Sequence, residues 1–159
     1  MERIAIFPGS FDPFTVGHEN LVRRGLKLFD KIIVGVGYNA KKEYFFPVET
    51  RVNFIKEEFK DDPCVSVEPY NILTVDFAKE KNARFILRGL RTAADFEYER
   101  AIAQINRQMT EIETVFMLTT PQHTPINSSI VRDILRYNGD ASKFIPPIIY
   151  QLILRQKDN

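Results

Sequence analysis

Residues 4–18 read IAIFPGSFDPFTVGH, and this stretch decides the fold. Ile4–Phe7 is continuously apolar, which is typical of a strand buried on both faces of a sheet. Gly9 and Gly17 then bracket a segment of turn residues, and His18 follows where a helix is expected to begin. Glycine lets the backbone approach a ligand closely, and helix N-termini bind anions. The stretch predicts a strand, a ligand-binding turn and a helix, although a plain strand-to-helix turn would use several of the same residues.

Further apolar runs continue this alternation of strands and helices along the chain. Candidate strands are Ile32–Val36, the weaker Val65–Val67, Phe85–Leu87 and Val115–Leu118. Helical spacing is found at Val22, Leu26 and Phe29, at Val48, Val52, Ile55 and Phe59, and at Tyr98, Ile102, Ile105 and Met109, of which Met109 is expected in the core. Alternating β and α segments predict parallel strands with right-handed crossovers. We expect one Rossmann-like α/β domain over residues 1–159, with a five-stranded parallel sheet and helices on both faces.

Composition narrows the class of partner. The chain has 159 residues, 44% of them hydrophobic and 27% charged, which is ordinary for a globular domain and excludes disorder by composition. Its 22 lysines and arginines against 21 acidic residues give a formal charge of +1. Broad binding to a nucleic-acid backbone usually needs a clear basic excess, so we expect no nucleic-acid partner. An anionic small molecule stays compatible with this balance, because charge can be clustered locally.

The compartment is predicted from cysteine usage and from the apolar runs. Cys64 is the single cysteine, and a lone thiol fits a reducing compartment, where we expect it to pack rather than react. The first apolar run stops at Pro8, which is too short for a signal peptide, and residues 32–38 are too few to span a bilayer. We expect a cytoplasmic protein without membrane contact. The two histidines, His18 and His123, have no cysteine pair beside them, so no protein-held metal site is predicted.

Polar and cationic residues follow four of the predicted strands. They are Ser10 and His18 after the first, Lys41 and Lys42 after the second, Arg88–Arg91 after the fourth, and Thr124–Arg132 after the fifth. Each group alone has a simpler explanation as a solvated turn, a surface charge or a helix cap, and Ser128 or Ser129 could cap the next helix. Ligands of such folds bind at the carboxyl ends of the strands. Convergence of these groups at one sheet edge therefore predicts a polyphosphate ligand, hence a nucleotide.

The sequence lacks three motifs that are typical of other nucleotide-binding proteins and of hydrolases. It contains no G-x-x-x-x-G-K-[ST] loop, no G-x-G-x-x-G fingerprint and no G-x-S-x-G nucleophile elbow. An enzyme that brings two anionic substrates together needs none of these motifs.

The stretch Gly9–His18 resembles the T/H-x-G-H signature of nucleotidyltransferases, and it is most similar to the bacterial phosphopantetheine adenylyltransferase pattern G-[ST]-F-D-P-x-T-x-G-H. The similarity continues through Lys42, Arg88–Arg91, Ala94–Glu99 and Ile126–Ser129, so it covers nearly the whole chain. The pairing of RGLR with DFEYE is specific to this branch of the superfamily.

The resemblance implies transfer of AMP from ATP to 4'-phosphopantetheine with the help of Mg²⁺, giving dephospho-coenzyme A and pyrophosphate. It implies ATP contacts at Ser10, Phe11, His18, Gly89, Leu90, Arg91, Glu99, His123, Thr124, Pro125, Ile126, Asn127, Ser128 and Ser129. It implies phosphopantetheine contacts at Ser10, Lys42, Thr74 and Arg88. His18, Lys42 and Arg91 would be catalytic, with His18 stabilising the transition state. The family is usually homohexameric and is often inhibited by coenzyme A.

Two departures from the family pattern leave questions open. The family loop often reads K-K-P, whereas this chain has Lys41-Lys42-Glu43, one position earlier. Counting back from Phe46 and Arg51 favours Lys42 as the working lysine and keeps Lys41 in reserve. Asn127 stands where the family often has serine, so its own contact is in question. Two other functions stay open: a nucleotidyltransferase with a different phosphorylated acceptor, and a catalytically silent nucleotide-binding module.

The C-terminal region is rather apolar, and the sequence does not decide between internal packing and a subunit contact. The residues concerned are Tyr137, Ile148, Ile149, Leu152 and Ile153.

Overall fold

Five parallel strands form one sheet in the computed structural model, which describes residues 1–159. The elements in chain order are β1 (Ile4–Gly9), α1 (Val16–Gly25), β2 (Lys31–Gly37), α2 (Val48–Glu58), β3 (Val65–Tyr70), α3 (Thr74–Glu80), β4 (Phe85–Leu90), α4 (Ala93–Met109), β5 (Glu113–Leu118), a 3₁₀ turn (Pro121–His123), α5 (Ser128–Arg136) and α6 (Pro147–Lys157). The strand order is β3-β2-β1-β4-β5, and every neighbouring pair is parallel. The predicted Rossmann-like α/β fold is confirmed.

The strands are longer than their apolar runs predict, and the difference matters most in β4. Arg88, Gly89 and Leu90 were expected to follow this strand. They form its last three residues instead, and their backbones pair with the last three residues of β5. The prediction placed this strand end too early because a polar residue and a glycine interrupt the apolar run, although the ladder continues through them.

The sheet is covered on both faces because successive side chains of a strand point to opposite sides. On β1, Ala5 and Phe7 belong to a large buried cluster, whereas Ile6 belongs to a smaller one. The large cluster contains residues of α1, α2, α5 and α6, among them Val22, Phe54, Val131 and Ile149. The smaller cluster contains Val75, Phe77 and Ala78 of α3. These continuous apolar strands therefore form a middle layer with helices on either side.

Two predictions of burial are wrong. Helix α4 buries no residue, and Met109, expected in the core, has 55% of its surface exposed. Tyr98, from the same predicted face, is 71% exposed. Helical spacing shows that a helix has an apolar face, but it does not show whether this chain covers that face. Cys64 was expected to pack, and it is exposed because it lies in the loop just before β3.

The C-terminal helix contributes to the core. Ile149 and Ile153 of α6 are buried at 0% and 2% exposure, in the same cluster as Ile55 of α2. Internal packing therefore explains these two residues, whereas Ile148 and Tyr137 are exposed at 43% and 85%. None of the six helices combines the length and the apolar character that crossing a lipid bilayer requires.

The strand order reverses direction at β1, which has β2 on one side and β4 on the other. The crossovers after β1 and β4 therefore leave towards different parts of the sheet. In open α/β sheets a crevice forms at the carboxyl ends of the strands at such a point. The loops that follow β1 and β4 are those in which the sequence concentrates its polar residues.

Candidate active site

Two cavities meet at the carboxyl ends of β1 and β4. The first has a volume of about 800 Å³ and is lined from the loops after β1, β2, β4 and β5 and from α5. The second has a volume of about 230 Å³ and lies between α3 and α4, where Thr74, Ile86, Ile102, Asn106 and Thr114 line it. Pro8, Gly9, Arg88 and Glu99 belong to the walls of both. The site is therefore a pair of adjoining chambers with a common wall at the switch point of the sheet.

Most residues singled out in the sequence lie on the first cavity, although their roles stay predictions. They are Ser10, Phe11, His18, Lys42, Arg88, Gly89, Arg91, Glu99, His123, Ile126, Asn127 and Ser128. Thr74 lines the second cavity only. Neither cavity is lined by Leu90, Thr124, Pro125 or Ser129. Loops that are more than 100 residues apart in the chain therefore contribute to one chamber.

His18 is oriented by the start of α1. Thr15 is the N-cap residue: its hydroxyl accepts from the His18 backbone N–H at 3.4 Å, and its own N–H donates to His18 Nδ1 at 3.0 Å. Because Nδ1 accepts this hydrogen bond, the proton of the neutral imidazole lies on Nε2. Phe11 packs edge-on against the ring, with 5.0 Å between ring centroids. The Nε2–H group is thereby left as a fixed donor.

The pKa of His18 is lowered from 6.5 to about 3, first by burial and then by the positive charges of Arg88 and Arg91. The imidazole is therefore neutral at pH 7 and acts as a hydrogen-bond donor rather than as a cation. The same repulsion shows that a positive field reaches this side chain. A bound anion would relieve that field, so the site favours anionic ligands.

Arg88 forms part of the wall between the cavities. Its Nε and Nη2 donate to both carboxylate oxygens of Glu99, at 3.0 and 2.6 Å, and its Nη1 donates to the Pro8 carbonyl at 2.8 Å. The two-pronged side of the guanidinium is therefore occupied by Glu99, and one N–H on each Nη remains for a ligand. This arrangement provides a fixed cation with single outward donors.

Arg91 is held differently, although it lies only three residues further along. Its Nε donates to Asp95 at 3.3 Å, and its backbone N–H donates to the same carboxylate at 3.0 Å. Its two Nη groups have no hydrogen-bond partner in the structure, and Arg91 lines the first cavity. Arg91 therefore offers a complete outer face to an anion.

The N-terminus of α5 also faces the first cavity. Asn127 is its N-cap, and the Asn127 side-chain oxygen accepts from the Ile130 N–H at 2.9 Å. The sequence offered Ser128 or Ser129 as a possible cap, but the helix begins at Ser128 itself, so neither serine is the N-cap. The Ser128 hydroxyl donates to the Pro13 carbonyl at 2.9 Å and so joins α5 to the loop after β1. The amides of Ser128 and Ser129, the first two of α5, have no partner within the helix and can bind an anion.

Two site residues, Asp12 and Arg136, were given no role in the sequence analysis. Asp12 is 4% exposed, and its carboxylate accepts from the backbone N–H groups of Phe45 and Phe46 at 2.7 and 2.9 Å. Arg132 donates to the Asp12 carbonyl at 2.9 Å and lines the first cavity, as does Arg136. The spacing of Ser128, Arg132 and Arg136 by four residues places them on one face of α5, and that signal could have been found. The burial of a lone aspartate has no such signal.

The structure also separates the two candidate lysines. Lys42 lines the first cavity and Lys41 does not. The Lys42 Nζ lies 5.4 Å from the ring centroid of Tyr44. Lys42 is therefore the lysine in position to meet a ligand there.

Taken as chemistry, the first cavity combines a neutral imidazole donor, outward-facing arginine and lysine side chains and free helix amides. Such groups can bind phosphate oxygens and stabilise negative charge that grows in a transition state. Within residues 1–159, no group of three or more His, Cys, Asp and Glu side chains is arranged to hold a metal ion.

Comparisons with known proteins show which family this chain resembles. Residues 6–134 match the family model described as cytidylyltransferase-like. The chain is 54% identical over 147 residues to a phosphopantetheine adenylyltransferase of Flavobacterium johnsoniae, covering 92% of this chain and 97% of that one. It is 51% identical over 144 residues to a phosphopantetheine adenylyltransferase of Bacteroides fragilis, covering 91% of this chain and 96% of that one.

A solved structure shows the same fold. It is a bifunctional NMN adenylyltransferase/ADP ribose pyrophosphatase from Francisella tularensis, with a TM-score of 0.75 and 17% sequence identity. The match covers all of this chain and 51% of that one, so this chain spans about half the length of the bifunctional protein. At this identity the likeness concerns the fold alone.

Proposed function

Because the chain belongs to the cytidylyltransferase-like family and, within it, to the phosphopantetheine adenylyltransferases, we propose that it transfers AMP from ATP to 4'-phosphopantetheine. The products are 3'-dephospho-coenzyme A and pyrophosphate, in a step of coenzyme A synthesis. We propose that residues 1–159 act as one nucleotidyltransferase domain.

The observation that carries this proposal is the pair of adjoining cavities. The first offers cationic side chains and free amides, which suit a triphosphate. The second is narrower and combines the apolar Ile86 and Ile102 with the neutral polar groups of Asn106 and Thr114. A pantetheine arm has the same character, since it is a slender neutral chain with amide groups. Its phosphate end would lie at the shared wall beside Arg88, facing the nucleotide.

The proposed reaction needs positioning more than it needs acid–base catalysis. The attacking group is a phosphate monoester, whose second pKa is near 6, so it is already largely dianionic at neutral pH. The barriers are the repulsion between two anions and the charge that grows on the α-phosphate and the leaving pyrophosphate. We assign His18, Arg91 and the first amides of α5 to the triphosphate, and Lys42 and Arg88 to the acceptor phosphate. An oxygen of the acceptor phosphate attacks the α-phosphorus, and the bond to the bridging oxygen of pyrophosphate breaks.

Mg²⁺ is proposed as the cofactor, arriving with ATP. Asp95 and Glu99 face the first cavity but are paired with Arg91 and Arg88. This donor set fits a magnesium ion held mainly by phosphate oxygens and water, as is common for this ion. Bound in that way, Mg²⁺ would neutralise charge on the departing pyrophosphate.

We propose that the working form is a homohexamer. The apolar face of α4, defined by Tyr98, Ile102, Ile105 and Met109, is 40–71% exposed. Exposed apolar faces of this kind are typical of protein–protein contacts. Sedimentation or light scattering should give six times the 18.5 kDa chain mass, and a monomer would contradict the proposal.

Coenzyme A carries the same pantetheine arm as the product, so we propose that it competes for the two cavities and inhibits the enzyme. We also propose that the enzyme works in the cytoplasm, since its exposed lone thiol suits a reducing compartment. Inhibition is checked by adding coenzyme A at several phosphopantetheine concentrations.

The decisive test compares two acceptors. The protein is incubated with ATP, Mg²⁺ and either 4'-phosphopantetheine or nicotinamide mononucleotide, and pyrophosphate is measured. We expect release with phosphopantetheine only. Release with the mononucleotide instead would show a different acceptor, and ligand-dependent melting shifts without pyrophosphate from any acceptor would show a silent binding module.

A further inference from the structure

Residues 39–46, here called the Lys42 loop, connect β2 to α2 and are tied to the loop after β1. The Asp12 carboxylate accepts from Phe45 and Phe46 N–H groups. A second tie comes from Arg51, which is 1% exposed on α2. Neither residue is among those that the family resemblance assigns to ATP or to phosphopantetheine.

Arg51 joins three backbone segments. Its Nε donates to the Phe46 carbonyl at 3.0 Å, and its Nη1 donates to the carbonyls of Ser10 and Gly37 at 2.6 and 3.1 Å. Ser10 belongs to the loop after β1 and Gly37 ends β2. Burial lowers the pKa of Arg51, and the neighbouring Asp12 charge opposes that effect. A lysine has one ammonium and cannot reproduce this fork of contacts.

Tyr44 links this buried arginine to the lysine at the cavity. The Arg51 guanidinium carbon lies 4.1 Å from the Tyr44 ring centroid, and the Lys42 Nζ lies 5.4 Å from the same centroid. The Tyr44 hydroxyl accepts from the Asn39 N–H at 3.0 Å, at the start of the Lys42 loop. Cations within about 6 Å of an aromatic centroid are attracted by the ring. The Tyr44 ring is therefore held by Arg51 and Asn39, and it attracts the Lys42 ammonium in turn.

We propose that Arg51 and Tyr44 are positioning residues for the acceptor phosphate, acting through Lys42. Arg51 fixes the Tyr44 ring and the carbonyl of Ser10, and the Tyr44 ring fixes the Lys42 ammonium at the first cavity. This inference rests on the proposed function, in which Lys42 meets the phosphate of phosphopantetheine. According to this inference, Arg51 of α2 holds the Lys42 loop in its conformation, rather than the turns within the loop.

The first test uses Tyr44→Leu and Tyr44→Phe in the pyrophosphate assay, with ATP and phosphopantetheine varied separately. We expect Tyr44→Leu to raise the KM for phosphopantetheine by about two- to fivefold, which is the scale of an exposed cation–π contact. The KM for ATP should stay within about twofold of the wild-type value, since no ATP contact is assigned to this ring. Tyr44→Phe keeps the ring and should stay close to wild type. Tyr137→Leu, at an 85% exposed tyrosine outside both cavities, is the matched control.

The second test asks whether Tyr44 acts through Lys42. Lys42→Ala should raise the KM for phosphopantetheine more than Tyr44→Leu does, and the double variant Lys42→Ala/Tyr44→Leu should match Lys42→Ala alone. Multiplying effects in the double variant would show that Tyr44 acts independently of Lys42 and would overturn the proposal.

Arg51→Lys tests whether the guanidinium of Arg51 holds the Tyr44 ring in place, because it removes the guanidinium and keeps the positive charge. We expect it to raise the KM for phosphopantetheine by at least as much as Tyr44→Leu, with little further effect of adding Tyr44→Leu. Arg155→Lys, at an exposed arginine of α6 without an ion pair, is its control. Thermal melting of each variant shows whether it is folded, and Tyr44→Leu keeps the proposal testable if Arg51→Lys does not fold.

The outcomes separate this inference from the proposed function. If Lys42→Ala weakens phosphopantetheine use and Tyr44→Leu does not, the positioning role fails alone. If Tyr44→Leu weakens ATP and phosphopantetheine equally, its role is merely structural and the inference is again overturned. If the wild-type protein releases no pyrophosphate with phosphopantetheine, or Lys42→Ala changes nothing, the proposed role of Lys42 fails and this inference fails with it.

Discussion

The two cavities share a wall but differ in what they can bind. The first has outward-facing cations and free amides, and burial there, followed by the positive charges of Arg88 and Arg91, lowers the pKa of His18 to about 3. The second has isoleucine, threonine and asparagine side chains and only the shared Arg88 as a cation. The comparison shows that the charged groups are concentrated in the first cavity, whereas most side chains of the second are neutral, so the two cavities suit different parts of a ligand.

The shared wall explains how the two cavities keep a fixed position relative to each other. Arg88 of β4 forms an ion pair with Glu99 of α4 and donates to the Pro8 carbonyl of β1, so one side chain connects a helix of the second cavity to two strands. Arg91 has no such tie beyond Asp95. Arg88 is therefore a fixed part of the boundary between the cavities, whereas the outer face of Arg91 has no protein partner.

The largest effect is expected from His18→Ala, which removes a hydrogen-bond donor from the first cavity. His18→Ala removes the fixed Nε2–H donor, and loss of one preorganised donor typically costs about 10²- to 10³-fold in turnover, roughly 3 to 4 kcal/mol. We expect kcat to fall on this scale in the pyrophosphate assay, while far-ultraviolet circular dichroism stays unchanged.

The control for this variant is ATP binding measured by calorimetry, because the loss should appear in turnover rather than in ground-state affinity. A folded His18→Ala protein with wild-type turnover would remove His18 from the mechanism. It would also show that the positive field of the first cavity acts without the imidazole.

A second prediction uses the pH dependence of stability to test the low pKa of His18 in the first cavity. The unfolded chain protonates His18 below about pH 6.5, whereas the folded protein does so only near pH 3. The unfolded state therefore binds more protons between these values, and stability must fall as the pH drops through this window. Between pH 7.5 and pH 5 we expect the wild-type protein to lose about 1 to 2 kcal/mol of unfolding free energy through His18, a loss that His18→Gln does not show. Urea unfolding at pH 7.5 and 5.0 measures it, and parallel losses in both proteins would contradict the low pKa.

A smaller effect is expected from filling the second cavity. Ala103 of α4 lines it, so Ala103→Phe should obstruct the pantetheine arm and raise the KM for phosphopantetheine about tenfold, or ~1.4 kcal/mol. The KM for ATP should hardly change. Gln104→Phe places the same side chain on an exposed position of the same helix, away from its apolar face. Equal effects on both substrates, or equal effects of both variants, would mean that the cavities do not divide the substrates as proposed.

The sequence predicts the parts of this molecule that depend on local pattern. Continuous apolar runs such as Ile32–Val36 can only be buried strands in an alternating chain, so the sheet was predictable. The meeting of the loops after the strands followed from topology. The position of His18 in the first turn of α1 followed from the turn residues before it.

Other features depend on contacts between distant segments, which no local pattern shows. Arg51 looks like an ordinary helix charge until Ser10 and Gly37 are brought beside it. Asp12 looks like a turn residue until the Lys42 loop packs on it. The exposed face of α4 has the spacing of a buried one, because periodicity is the same whichever partner covers it.

The smallest effect concerns a departure from the family pattern at the edge of the first cavity. Asn127 caps α5 through its side-chain oxygen, and the serine often found there in the family could do the same. Asn127→Ala should therefore cost about 1 kcal/mol of stability, whereas Asn127→Ser should be nearly neutral. Urea unfolding compares the three proteins. If Asn127→Ser were as unstable as Asn127→Ala, the amide would have a contact beyond the cap; if neither lost stability, the α5 amides would need no cap to stay in place at the cavity.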